Sequence, residues 1–118
     1  MSWTLDLDSF CTDQQQPTAL FAVATLGIVD SLAAGSLTPT EAIRAFFHAK
    51  NCRFVRSKLR DKRADEVMSR GVQLADLFDA MPLEEAHREF QHELQAMKSL
   101  CHELLEAERL AVCSSHRP

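Results

Sequence analysis

One run of apolar positions limits what this chain can become. Leu83, His87, Phe90, Leu94, Met97, Cys101 and Leu104 follow one another at spacings of 4, 3, 4, 3, 4 and 3. That alternation keeps the side chains on one face of an α-helix and does not fit the period of two that a strand requires. Ala86, Leu100 and Leu105 widen the face. Pro82-Leu83-Glu84-Glu85 supplies the start, with proline in the first turn and acids at the positive end of the helix dipole. A helix from Pro82 to near Leu110 is about 43 Å long at the usual rise per residue. A compact chain of 118 residues has a radius of gyration of about 13–14 Å. The helix is therefore expected to project beyond the remainder, or to kink.

The rest of the chain also reads as helix. Asp13 and Gln16 have capping-box spacing ahead of Pro17. The following run, from Leu20 to Leu32, is apolar on most sides, which predicts a helix central in the core and closed by Gly35. Thr38-Pro39-Thr40-Glu41 is a sharper signal: Thr38 caps, Pro39 fits the first helical position and Glu41 reaches back. That helix is predicted to bury Ala42, Ile43, Phe46 and Phe47 and to end near Lys50-Asn51. A short helix is expected from Arg53 to Leu59, and another from Lys62 to Arg70, capped by Asp61 and broken at Gly71. A further short one is expected over 72–78. Trp3, Leu5 and Leu7 alternate with polar residues, leaving a short strand, an extended arm or a flexible end open.

The expected fold is a single all-α domain over 1–118, a compact bundle of five to six helices with a long C-terminal one. An arm over 1–12 and a frayed tail over 111–118 flank it. The expected core contains Phe21, Leu26, Ile28, Leu32, Ile43, Phe46, Val67, Phe78, Phe90, Leu94 and Met97. Three glycines and four prolines are too few for a turn-rich all-β fold. The apolar face continuing through Leu94, Met97, Cys101, Leu104 and Leu105 toward the projecting end predicts self-association as a homodimer. A fold-back of the arm over the same face is the monomeric alternative.

Composition narrows the chemistry. Cys11, Cys52, Cys101 and Cys113 form no CxxC pair, and their spacing suits reduced thiols of a cytoplasmic protein. The N-terminus lacks the basic and apolar regions of a signal peptide. The most apolar stretch, Ala19 to Ala34, falls short of the roughly 20 apolar residues that span a bilayer, so no membrane partner is expected. Glu84-x-x-His87 and Glu89-x-x-His92 resemble di-iron ligand pairs, but both sit on one helix where two are needed. His48 and Cys52 lie four apart, and Cys101 occupies a stripe position where it acts as a small hydrophobe. No glycine-rich phosphate loop or Gly-x-Ser-x-Gly turn is present. A non-enzymatic protein is expected, without cofactor or metal.

Charge is the informative feature. Lys50 to Arg63 holds seven basic residues against Asp61, a local +6 in a chain of net charge -4, so the remainder sums to -10. On a continuous helix Arg53, Arg56, Arg60 and Arg63 form one stripe. Such a stripe meets an acidic protein surface or phosphates, or else pairs with the chain's own acidic helices. The surrounding negative charge and the near absence of aromatic residues weigh against nucleic acid.

The order of short features from Phe21 to Leu105 resembles a small bacterial family known only as a domain of unknown function. Those features are Leu26-Gly27-Ile28, Asp30-Ser31-Leu32, Gly35, Leu37 and Glu41-Ala42, then Gly71-Val72-Gln73-Leu74, Asp76-Leu77 and Pro82. The resemblance implies an all-helical, non-enzymatic protein of bacterial or phage origin and carries no functional residues with it. In size, charge and lack of motifs the chain is similar, as a class, to immunity and phage anti-defence proteins. The expected function is a protein-binding module, an inhibitor that blocks a partner's surface. The alternative is a nucleic-acid-associated regulator using residues 50–63.

Overall fold

The structure is a computed structural model that describes residues 3–11 and 16–115. Among these it holds seven α-helices, one π-helical turn and no strand. The helices are α1 (Leu7–Phe10), α2 (Pro17–Ala34), α3 (Pro39–Ala45), α4 (Ala49–Phe54), α5 (Lys62–Val72), α6 (Asp76–Ala80) and α7 (Leu83–Ser115). The π turn, Val55–Leu59, continues α4. The all-α bundle read from the sequence is what forms, with short helices more finely divided than expected.

The last helix is the spine. It runs to Ser115 without stopping near Leu110, and the molecule measures 56 × 26 × 23 Å, so the helix sets its long axis. Helices α2, α5 and α6 all pack on it. Its buried stripe is Ala86, Phe90, Leu94, Met97, Cys101 and Leu104. The face predicted for self-association is thus covered by the chain's own helices: Leu94, Met97, Cys101 and Leu104 are each at most 3% exposed, and Leu105 is half-buried. The reason is length. Helix α2 has 18 residues and lies along α7, so it covers the stripe where a second copy was expected. The N-terminal arm does not do so; it docks elsewhere.

Helix α2 is not apolar-buried all round. Phe21, Ala22, Thr25, Ile28, Val29 and Leu32 form its buried face, while Val23 on the opposite side is 58% exposed. Its start is also simpler than predicted, since Gln16 occupies the cap position without a side-chain bond and Asp13 lies outside the described residues. Its end is as predicted: Gly35 adopts φ 80°, a left-handed conformation that glycine takes without steric cost. With mean hydropathy 1.6, α2 is long and apolar enough, by length and composition alone, to cross a membrane, contrary to the reading above. Here it serves as a packing helix.

The predicted capping box forms: Glu41 N–H donates to Thr38 Oγ1 at 3.1 Å and Thr38 N–H to Glu41 Oε1 at 2.9 Å. Helix α3 nevertheless ends at Ala45, five residues early. The backbone leaves the helix at Phe46, where φ is -138°. Phe46 and Phe47 are both fully buried there, their rings meeting edge to face at 5.2 Å, with Phe21 stacked on Phe46 at 6.2 Å. Phe47 also explains why Gly71 does not break α5. A Cβ on Gly71 would lie 2.6 Å from Phe47 Cγ, so glycine is kept inside the helix to admit the ring.

Asn51 joins the arm to this corner. Its Oδ1 accepts from Leu7 N–H at 2.9 Å, and its Nδ2 donates to the Leu5 and Phe46 carbonyls, each at 2.8 Å. The arm is extended through Asp6, with one backbone bond from Leu5 N–H to the Ala45 carbonyl, and then turns into α1. Lys50 adds ion pairs to Asp6 at 3.2 Å and Asp8 at 3.6 Å. Eight of the eleven expected core residues are buried, and Leu26, Ile43 and Phe78 pack against them half-buried.

Asn51→Ala is expected to cost about 2–3 kcal/mol in denaturant unfolding, because three backbone groups, two of them in buried bonds, lose their partner at once. Hydrogen exchange at the Leu7 amide should accelerate in the same variant. Asn51→Asp is expected to be at least as costly at neutral pH, since it sets a carboxylate against two carbonyl oxygens.

Candidate functional site: a cationic ridge on a strained turn

The basic run does not lie on one helix. His48 starts α4 by accepting Asn51 N–H on Nδ1 at 3.3 Å. Arg53 is on α4, Arg56 on the π turn, and Arg60 ends that turn. Arg60 N–H donates to the Val55 carbonyl at 3.2 Å, the i to i+5 bond that defines the looser winding. Arg60 itself stands at φ 51°, the one non-glycine residue with positive φ among those described. A side chain there is strained by about 1–2 kcal/mol. Asp61 then caps α5, so the straight stripe expected from 3, 4, 3 spacing is interrupted between Arg60 and Arg63.

Arg63 leaves the ridge. Its guanidinium pairs with Asp61 at 3.1 Å and reaches the Glu103 carbonyl at 3.5 Å. The Arg63 guanidinium in turn holds the Asp61 carboxyl below the usual carboxylate range. Arg53, Arg56 and Arg60 remain exposed, as do Lys58 and Lys62. None of these five makes an ion pair with the described residues, and the Arg60 Nε–H bonds only to the Ser57 carbonyl, at 3.2 Å. Internal pairing therefore claims the two ends of the run, Lys50 and Arg63, and leaves its middle free. Residues 58 and 62 were not singled out from sequence, because a stripe argument selects only one helical face.

A cavity of about 400 Å³ lies between this ridge and α5, lined by Cys52, Arg56, Asp65, Met68, Ser69 and Gln73 among others. Its one thiol is not activated by its surroundings. Burial pushes the Cys52 thiol up, and Arg56 and Arg53 oppose that more weakly. Cys101, inside the α2–α7 seam beside Thr25, is pushed up to about 12 by burial. Burial likewise raises Cys11. A thiol held protonated is a poor nucleophile. His48 accepts the Asn51 amide on Nδ1, while its Nε2 is buried 3.5 Å from Asp6 Oδ1 without a hydrogen bond.

Ridge, cavity and helical scaffold together describe a small all-α protein whose distinctive surface is electrostatic. The chain belongs to the DUF3969 family of proteins of unknown function, whose model matches residues 12–112. No curated protein and no solved structure matches it.

Two outcomes test the strained turn and its cap. Arg60→Gly is expected to stabilise the protein by up to about 1 kcal/mol, the relief of side-chain strain exceeding the added freedom of the unfolded chain. For Asp61 the folded pKa is the lower one, so its contribution is full above the unfolded value of about 3.9. That contribution is lost as pH falls through the folded value. Asp61→Asn keeps the cap and removes the charge. It should lower stability by under about 1 kcal/mol at pH 7, with wild type and variant converging in acid.

Proposed function

We propose that this chain is a non-enzymatic protein-binding module, of the inhibitor or immunity kind, that covers an acidic surface on its partner. The observation that carries this reading is the middle of the basic run: five exposed cations without an ion pair among the described residues, while the chain outside residues 50–63 sums to -10. An unpaired guanidinium suits bidentate contact with carboxylates. The support is rigid, because Val55 and Asn51 beneath it are fully buried. A left-handed arginine retained at a cost in stability fits a surface selected for binding. The raised thiols give nucleophilic catalysis no support. The free cysteines among the described residues are compatible with a reducing cytoplasmic setting.

An acidic protein is favoured over a nucleic acid. A long phosphate backbone would run from the ridge into the surrounding negative field. Phe54, the one aromatic side chain in the run, is half-buried against the core and offers no open stacking face.

The experiment is in-cell crosslinking, identification of the captured partner and reconstitution of the pair. The charge-reversed triple variant of Arg53, Arg56 and Arg60 to Glu is expected to keep its stability within about 0.5 kcal/mol. It should lose more than tenfold in affinity, and wild-type binding should weaken with salt. Unchanged affinity in that variant would overturn the reading. Retention of duplex DNA at physiological salt by wild type, and not by the variant, would replace it with the nucleic-acid one.

A further inference from the structure

The cavity beside the ridge is built on one face of α5. Asp65, Met68, Ser69 and Val72 follow at spacings of 3, 1 and 3, so they share a side of that helix, and Gln73 caps its end. Cys52 and Arg56, four apart on α4 and the π turn, supply the facing wall. All of these line one space of about 400 Å³, within the size range of small-molecule sites. The opposite face of α5 holds the wall in place, since Ala64, Val67 and Gly71 are buried in the core.

The lining carries two charges of opposite sign that do not meet. Elsewhere on α5, Arg63 pairs with Asp61, and Arg70 with Glu66 and Glu93. The half-buried Asp65 carboxylate has no ion pair or hydrogen bond among the described residues, and Arg56 across the cavity has none either. The Cys52 thiol on the same wall senses both: burial raises its pKa, Arg56 opposes that rise and Asp65 adds to it. The neutral groups are free as well. Ser31 and Ser57 donate to carbonyls of their own helical turns at 2.9 and 2.8 Å. Ser69 makes no such bond, and the Gln73 side-chain amide has no partner among the described residues. The cavity thus gathers a cation, an anion, a hydroxyl and an amide that the fold itself does not use. Its apolar part is the buried Met68 and the half-open Val72.

We propose that this cavity binds a small zwitterion, a free α-amino acid with an apolar side chain. Its carboxylate meets the Arg56 guanidinium and its ammonium group meets the Asp65 carboxylate, two charge-assisted contacts of opposite sense. The Ser69 hydroxyl and Gln73 amide complete the polar contacts, and the ligand's side chain lies along Met68 and Val72. A ligand of single charge fits less well, because it sets one wall against a like charge or covers it unpaired. This goes beyond the ridge reading and shares only Arg56 with it.

The probes are free leucine and methionine, titrated into the labelled full chain and followed by NMR shift mapping. The controls are leucine without its amine, 4-methylpentanoate, and leucine without its carboxylate, 3-methylbutylamine. The expected result is saturable binding of an amino acid with shifts at Cys52, Asp65, Ser69 and Val72, and at least tenfold weaker binding of both controls. Asp65→Asn and Arg56→Gln should each weaken leucine at least tenfold. Neither side chain makes an internal ion pair, so both variants should melt as wild type does. Arg53→Gln with Arg60→Gln should leave leucine binding unchanged, since both lie outside the lining. Asp65→Asn should leave the ridge's protein partner bound, so either reading can fail without the other. No saturable shift from either amino acid at millimolar concentration, or shifts confined to other faces, would overturn the proposal. Binding of 4-methylpentanoate as tight as leucine would overturn it in favour of a plain anion site. The same result with 3-methylbutylamine would overturn it in favour of a cation site.

Discussion

Every larger feature of this molecule depends on how one stripe of α7 is covered. Phe90, Leu94, Met97, Cys101 and Leu104 are the surface against which the other helices are organised. Burying apolar area at about 25 cal/mol per Å² is the dominant favourable term in folding, and a stripe of this length needs a helix of comparable length to cover it. Helix α2 does this over most of the stripe, and α5 and α6 cover the flanks. The relation is unequal, since α7 has 33 residues and α2 has 18. That mismatch elongates the molecule and leaves the start of α7 as an open apolar groove.

A second constraint acts at the corner where α3 gives way to α4. Two adjacent phenylalanines, Phe46 and Phe47, are buried where the chain leaves the helix. The chain breaks, Asn51 takes up the carbonyl that the break exposes, and the same side chain fastens the N-terminal arm. Phe47 then excludes any side chain at Gly71. Leu7, Asn51, Phe47 and Gly71 thus tie the arm, α4 and α5 together. The π turn and the left-handed Arg60 lie directly after this corner, so the cationic ridge is mounted on a well-anchored piece of backbone.

The two open surfaces differ in kind. On the ridge, the cations stand beside a cavity with mixed polar and apolar walls. At the start of α7 lies a groove whose lining is largely apolar. The first favours long-range, salt-sensitive attraction. Family membership brings no activity with it.

Sequence by itself determined the local elements. The period of α7, the capping box at Thr38, the glycine stop at Gly35 and the Asp61 cap each depend on residues within a few positions of one another. Such short-range geometry is legible without knowing the fold. The local +6 was equally legible, because charge is additive along the chain. Tertiary structure alone decided which apolar faces were covered, which is why Leu94, Met97, Cys101 and Leu104 are packed against the chain's own helices. It also decided that Arg63 turns to Asp61, that α3 stops at Ala45 and that Gly71 stays helical. These outcomes rest on contacts between residues far apart in the chain, such as Phe47 with Gly71 and Asn51 with Leu5 and Leu7. In each case the physical reason is the same: periodicity states that a face is apolar, while only packing states what lies against it.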